Sequence, residues 1–226
     1  MHIPDGFLNN GLAGGLLAGA VAMLSYCFSK VLSAVTVVSK KLAGNNNATL
    51  SQSFPGLSSN AGGYFRKLAL IAIWVFACQM FNITVASATS VHLLGGVFAA
   101  VLAGPFAGFV IMSSVLTVQS LFFADGGFLA LGANIVNMAF VGSFLAYYVY
   151  KAVAKKNYYL GVSAACFFSV LTAAAFCLIE LGFSATVSFN EAFKDMMSLH
   201  FLFAVVETIL TVIMLKLFKS LGADNE

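Results

Sequence analysis

"YYLGVSAACFFSVLTAAAFCLIELGF", residues 158–183, decides the fold. It holds one acid, Glu180, and no base. A helix needs about 20 largely apolar residues to cross a bilayer, and this run exceeds that. Comparable stretches flank it on both sides, at Gly11–Val38, Leu68–Ile83, His92–Gly104, Phe106–Phe123, Leu131–Tyr150 and Met197–Phe218. Together they read as seven transmembrane helices of an all-α, polytopic integral membrane protein. Composition points the same way: 61% of residues are hydrophobic and 8% charged, with mean hydropathy +0.96. That is too little charge to clothe a soluble globule.

The spans use up nearly all of the 226 residues. The expectation is therefore a single membrane domain over residues 1–226, with no soluble catalytic domain and no enzymatic activity. A short segment, 1–10, precedes the first helix, and an Asn/Ser-rich loop fills 39–67, including "GNNNATLSQSFPGLSSN". The net charge of +3 records orientation in a membrane protein rather than a nucleic-acid partner. Cys27, Cys78, Cys166 and Cys177 all lie in apolar stretches without CxxC spacing, as small packing residues do.

Basic residues stay on the cytoplasmic side. With the amino terminus outside, Lys40, Lys41, Arg66, Lys67, Lys151, Lys155, Lys156, Lys216 and Lys219 all fall inside, and only Lys194 falls outside. The carboxyl terminus is then cytoplasmic. His2, Asp5, Asp125, Glu191 and Asp195 come to the outer face, with the helix ends that carry His92, Glu180 and His200. The helix expected from His92 to the Gly104–Pro105 break rises only about 20 Å against a hydrocarbon core of about 30 Å. His92 would then lie at the bottom of an outward pit, in a helix capped by Thr89 or Ser90.

"MHIPDGF" at residues 1–7 supplies a chemistry to go with that pit. A free terminal amine on Met1, the amide nitrogen of His2 and a ring nitrogen of His2 can close two fused chelate rings around one ion. Such planar nitrogen sites favour Ni(II) or Cu(II), admit Co(II) and exclude Mg(II) and Ca(II). His92 is the best-placed fourth donor. The competing reading is a loose terminal residue, against which Pro4 stiffens the segment and Asp5-Gly6 turns it back.

Several stretches resemble the CbiM/NikM family, the cobalt and nickel substrate-capture components of energy-coupling-factor transporters. These are "MHIPDGFL", "QMFN", "HLLGG", "LAGPFAG", "LFFADGGFLALGANIVNM" and "SLHFLFAVVETILT", in order along nearly the whole chain. The resemblance implies a seven-helix protein of the prokaryotic cytoplasmic membrane that takes Ni(II) or Co(II) from outside as transported substrate, without an organic cofactor. It implies Met1, His2 and His92 as metal ligands. It also implies a transmembrane coupling subunit (the T component), ABC ATPases (the A components) and often a small accessory membrane subunit as partners in the lipid bilayer. No Walker motif occurs in this chain, so ATP must be hydrolysed elsewhere. "VASATSVHLLGG" departs from the family in lacking a glycine-rich run before the histidine, and the Asn/Ser-rich loop is long.

Other polar residues have two readings each. Asp5 and Asp125 belong to the outer face, and Asp125 either holds a loop over the site or draws cations to its mouth, or else caps a turn or helix. Asn134 and Asn137 either orient the metal-binding segment or bridge helices. Glu180, His200 and Glu207 are costly in a membrane; His200 and Glu207 share a helix face, and they serve interhelical bonding or touch metal. Gly11, Gly15 and Gly19 permit close packing, inside the protein or against a partner. The rival functions are a stand-alone divalent-metal carrier or channel, and a haem protein with His92 and His200 as axial ligands.

Overall fold

The computed structural model describes residues 2–42, 61–85 and 89–220. In chain order come α1 (Asn10–Leu42), α2 (Ala61–Gln79), strands β1 (Ile83–Val85) and β2 (Thr89–Val91), α3 (Gly96–Ala103) and α4 (Pro105–Phe122). A continuous helical rod follows, made of α5 (Leu131–Asn134), a π-helix (Ile135–Leu145) and α6 (Ala146–Ala154), and then α7 (Tyr158–Phe183) and α8 (Phe189–Ser220). Among the described residues, five stretches are long and apolar enough to cross a membrane: Asn10–Thr36, Pro105–Phe122, Leu131–Ala154, Tyr158–Phe183 and Ala192–Ser220. α2, with Arg66 and Lys67 near its start, and the short α3 fall outside that set.

Three expected boundaries change. α1 runs on to Leu42 and α2 starts at Ala61, so the loop between them is narrower than 39–67; its residues 43–60 lie outside the described ones. The third helix does not begin at His92. It begins at Gly96, and Thr89 and Ser90 belong to β2, paired antiparallel with β1, so neither caps a helix. The physical reason lies in the two glycines of "HLLGG". Gly95 takes φ +69, a left-handed conformation that breaks any helix entering from His92. Gly96 sits against the Gly142 carbonyl, where a side chain would collide.

α3 is the centre of the bundle. Gly96, Val97, Phe98, Ala99, Ala100, Leu102 and Ala103 are all buried, and α4, the π-helix, α6, α7, α2 and α8 all pack on it. Eight residues make a helix of about 12 Å. Small side chains on this short rod let the long helices close in, as at Gly108, whose Cβ would press on Ala100. Large apolar side chains such as Ile73, Leu121, Phe183 and Ile213 stay exposed on the outside, as expected of a lipid-facing belt.

The two ends of the bundle differ chemically. Lys219 lies 3.7 Å over the Tyr158 ring and Lys216 lies 4.9 Å over Tyr159, so the end of α8 meets the start of α7 beside Lys155 and Lys156. At the other end, Asn9 donates its N–H to Ser184 Oγ, and Thr186 Oγ1 donates to the Phe7 carbonyl. Residues 2–9 are held there.

Candidate metal centre

The segment ahead of α1 is docked, not loose. Ile3, buried, donates its N–H to Asn134 Oδ1 at 2.8 Å and accepts from Asn134 Nδ2 at 3.2 Å and from the Gly127 N–H at 2.9 Å. The Asp5 carboxylate receives the N–H groups of Phe128, Leu129 and Ala130, the turn that leads into α5. An acid at the start of a helix is favoured by its unpaired N–H groups and dipole. Asp5 therefore works as an anchor for the segment.

This docking buries the His2 ring, 3% exposed, at 4.6 Å from the His92 ring, centroid to centroid. His2 Nδ1 donates to Asp125 Oδ1 at 2.7 Å, and Asn82 Nδ2 donates to the same oxygen at 2.9 Å. Burial, the largest influence, holds the His2 pKa below its ordinary value, and the Asp125 hydrogen bond only partly offsets it. For Asp125, burial pushes upward, but the His2 hydrogen bond and charge outweigh it and leave the carboxyl below its usual range. The pair is a neutral imidazole donating to a carboxylate. Asp125 is presented by a tight turn in which Ala124 has φ 51 and Gly126 φ 88. A side chain at Gly126 would press on the His2 ring and Asn134.

His92 follows β2 directly and is 1% exposed. Its Nδ1 donates to the Leu93 carbonyl at 2.8 Å, which fixes the lone pair on Nε2. The next peptides are gripped from two helices. Glu207 of α8 accepts the Leu94 and Gly95 N–H groups, both at 2.8 Å, and Gln79 Nε2 of α2 donates to the Leu94 carbonyl at 2.6 Å. His92 is thus carried on a rigid mount.

All three histidines share one pattern. His200 Nδ1 donates to the Met196 carbonyl at 2.7 Å, so each ring has Nδ1 committed to an oxygen. Each Nε2 is buried without a protein hydrogen-bond partner. For His92 this is how a metal-binding imidazole is set up, one nitrogen oriented by an oxygen and the other left as donor. Among the described residues, no three His, Cys, Asp or Glu side chains converge on a single ion position. The expected ligand set relies instead on backbone nitrogens, and Met1 lies outside the described residues.

The remaining expected site residues divide. Asn134 orients the segment that carries His2. Asn137 turns away, because the wide π-helix changes the phase between them, and donates to Glu180 Oε2 of α7 at 2.6 Å. That pair bridges helices. Glu207 serves the His92 mount, and His200 lies two turns earlier on the same buried face of α8. A Cβ at Gly15 or Gly19 would meet nothing within 4 Å, so these glycines make no close internal contact. Gln79 and Asn82, the first and last letters of "QMFN", also belong to the site, through Leu94 and Asp125, and nothing in their spacing marks them for it.

A family model described as the cobalt uptake substrate-specific transmembrane region matches residues 2–224. The chain belongs to the CbiM family. Among CbiM relatives, a putative fused nickel transport protein NikMN of Archaeoglobus fulgidus is 35% identical over 84% of this chain. The match spans 55% of that longer protein. A probable fused nickel transport protein LarMN of Lactiplantibacillus plantarum is 28% identical over 100% of this chain and 66% of its own length. A cobalt transport protein CbiM of Thermosipho melanesiensis is 34% identical over 55% of this chain and 51% of its own. A crystal structure of a transition metal transporter superposes with TM-score 0.79 at 26% identity, covering 98% of this chain and 93% of that one.

Proposed function

We propose that this CbiM-family chain is the substrate-capture membrane subunit of an energy-coupling-factor transporter that takes up Ni(II) or Co(II). The observation that carries the reading is the 4.6 Å approach of the buried His2 and His92 rings, brought together by a docked amino-terminal segment. The relatives named for nickel or cobalt transport supply the metal class.

In the capture step the Met1 amine, the His2 amide nitrogen, the His2 ring and His92 Nε2 surround the ion. Of the two ring nitrogens, only Nδ1 can close a chelate ring with the residue's own amide nitrogen. In this state Asp125 holds Nδ1, so capture exchanges the Asp125 hydrogen bond for the metal bond, and the carboxylate is left beside the loaded ion to balance its charge. Four nitrogen donors in a plane suit Ni(II) and Co(II) and reject hard ions that need oxygen. The basic end of the bundle, with Lys155, Lys156, Lys216 and Lys219, faces the cytoplasm and the site faces out. Seven crossings follow if α2 and α3 complete the five longer spans. Partner ATPases and a coupling subunit supply the energy, and release goes to the cytoplasm.

The test is metal binding by the purified chain, with intact mass establishing that Met1 is retained. His2→Ala, His92→Ala and an alanine inserted after Met1 should each weaken Ni(II) and Co(II) binding by at least a hundredfold. Unchanged affinity in the insertion variant would exclude the terminal chelate. Uptake into vesicles by this chain without an ATPase would favour a stand-alone carrier.

A further inference from the structure

We propose that the basic end of the bundle binds an anionic diacyl phospholipid, its phosphate held by Lys216 and Lys219 of α8 above two tyrosine rings of α7. The inference goes beyond metal capture and does not depend on it.

The two lysines are placed by the rings beneath them. Lys219 Nζ lies 3.7 Å over the Tyr158 ring and Lys216 Nζ lies 4.9 Å over Tyr159, and those rings are 5.1 Å apart. A cation–π contact occupies one side of an ammonium group and leaves N–H donors for a second acceptor. The amines thus stand over adjoining rings, three residues apart on one side of α8. Their charge has no counterpart nearby. The chain carries no acid from Lys151 to Ile179 or from Thr208 to Ser220, and among the described residues neither lysine forms an ion pair. Lys155 and Lys156, both exposed, add to the same field from the turn before α7.

The rings also mark a depth. Tyr147, Tyr150, Tyr158 and Tyr159 form a chain of ring contacts at 5.8, 6.0 and 5.1 Å, and tyrosines gather where headgroups meet hydrocarbon. Beside them Ile213 and Leu217 of α8 and Leu160 of α7 are exposed. A soluble anion gains nothing from that apolar wall. A phospholipid sets its phosphate at the lysines and its acyl chains along the wall, and basic pockets between helix ends select anionic headgroups in this way. An acidic protein partner would meet the same charges and leave the wall unused.

The experiment reconstitutes the purified full chain in nanodiscs of equal phosphatidylglycerol and phosphatidylcholine with identical acyl chains, and native mass spectrometry counts the lipids that stay bound. Wild type should retain phosphatidylglycerol about fivefold or more over phosphatidylcholine. Lys216→Gln with Lys219→Gln should bring that ratio below about twofold. Lys30→Gln with Lys151→Gln removes the same charge elsewhere and should keep it above about threefold. Tyr158→Leu with Tyr159→Leu keeps both lysines, removes the rings and should at least halve the ratio. Wild-type helicity and a cooperative melt establish that each variant folds; if the tyrosine pair does not fold, the lysine pair decides. Millimolar glycerol 3-phosphate should displace no lipid. The proposal is overturned if the lysine pair leaves the ratio unchanged, if the Lys30 and Lys151 changes lower it equally, or if glycerol phosphate competes. A chain ending at Ser220 tests the remaining rival, because Asp224 and Glu226 follow the lysines. A phosphatidylglycerol preference that appears only in that shortened chain would make the acidic tail the occupant and overturn the lipid site.

Discussion

Asn134 pairs with both backbone groups of Ile3, accepting its N–H at 2.8 Å and donating to its carbonyl at 3.2 Å. One amide side chain thereby holds the residue next to His2 much as a neighbouring strand would. Asn134→Leu leaves the buried Ile3 N–H unpaired, at about 1–3 kcal/mol, while the Ile3 carbonyl keeps the Gly127 N–H. Ni(II) affinity should fall by about tenfold or more, while the melting temperature in detergent changes little, because the helices are untouched. Loss of binding accompanied by global unfolding would contradict a local role.

Glu207 separates positioning from packing. Glu207→Gln keeps the volume but has only one oxygen for the Leu94 and Gly95 N–H groups, so one of them faces an amide donor instead. Metal affinity should drop about tenfold in calorimetry, with the fold retained. Glu207→Ala removes both bonds and should also lower the melting temperature.

The glycine beside the site can be tested without touching a ligand. Gly126→Ala forces a Cβ onto a residue at φ 88 and against the His2 ring. The conformational cost is about 1–2 kcal/mol. Weaker metal binding is the expected readout, with faster hydrogen exchange in residues 2–9. Gly96→Ala, which drives a methyl into the Gly142 carbonyl, should instead abolish stable expression.

Acidification should loosen the amino-terminal segment of the metal-free protein. The His2 pKa is lowered in the fold, so below its ordinary value of 6.5 the released segment binds more protons than the docked one. Linkage then makes docking weaken as pH falls through that region. Asp125 acts in a lower window. Its folded pKa is depressed, so its contribution is present above the ordinary 3.8 and is lost as pH falls through the folded value. Hydrogen exchange of residues 2–9, corrected for the intrinsic pH dependence, should accelerate between about pH 7 and pH 5. A flat profile would show that neutral His2 is not what holds the segment.

Hydropathy made the long helices legible because burial in lipid demands an unbroken apolar run. Its edges failed where backbone conformation, not composition, sets the boundary. A helix from His92 is reasonable by apolar content, yet Gly95 at φ +69 prevents it. The site was legible in part because planar chelation restricts which atoms can take part, and that singled out residue 2. Asn82 and Gln79 stayed hidden because a side-chain amide holding a turn or a carbonyl has no periodic signature. Asn134 and Asn137 looked alike from spacing alone, yet one clamps Ile3 and the other binds Glu180.

The contacts of residues 2–9 also set an order of assembly. The partners of this segment, Asp125 for His2, the Asn134 clamp on Ile3, and Ser184 and Thr186 near Asn9 and Phe7, are all synthesised much later than it. The segment must therefore wait, exposed, until α7 has been inserted. A chain truncated before residue 184 therefore lacks the Ser184 and Thr186 contacts that hold Asn9 and Phe7, and its first segment cannot dock fully.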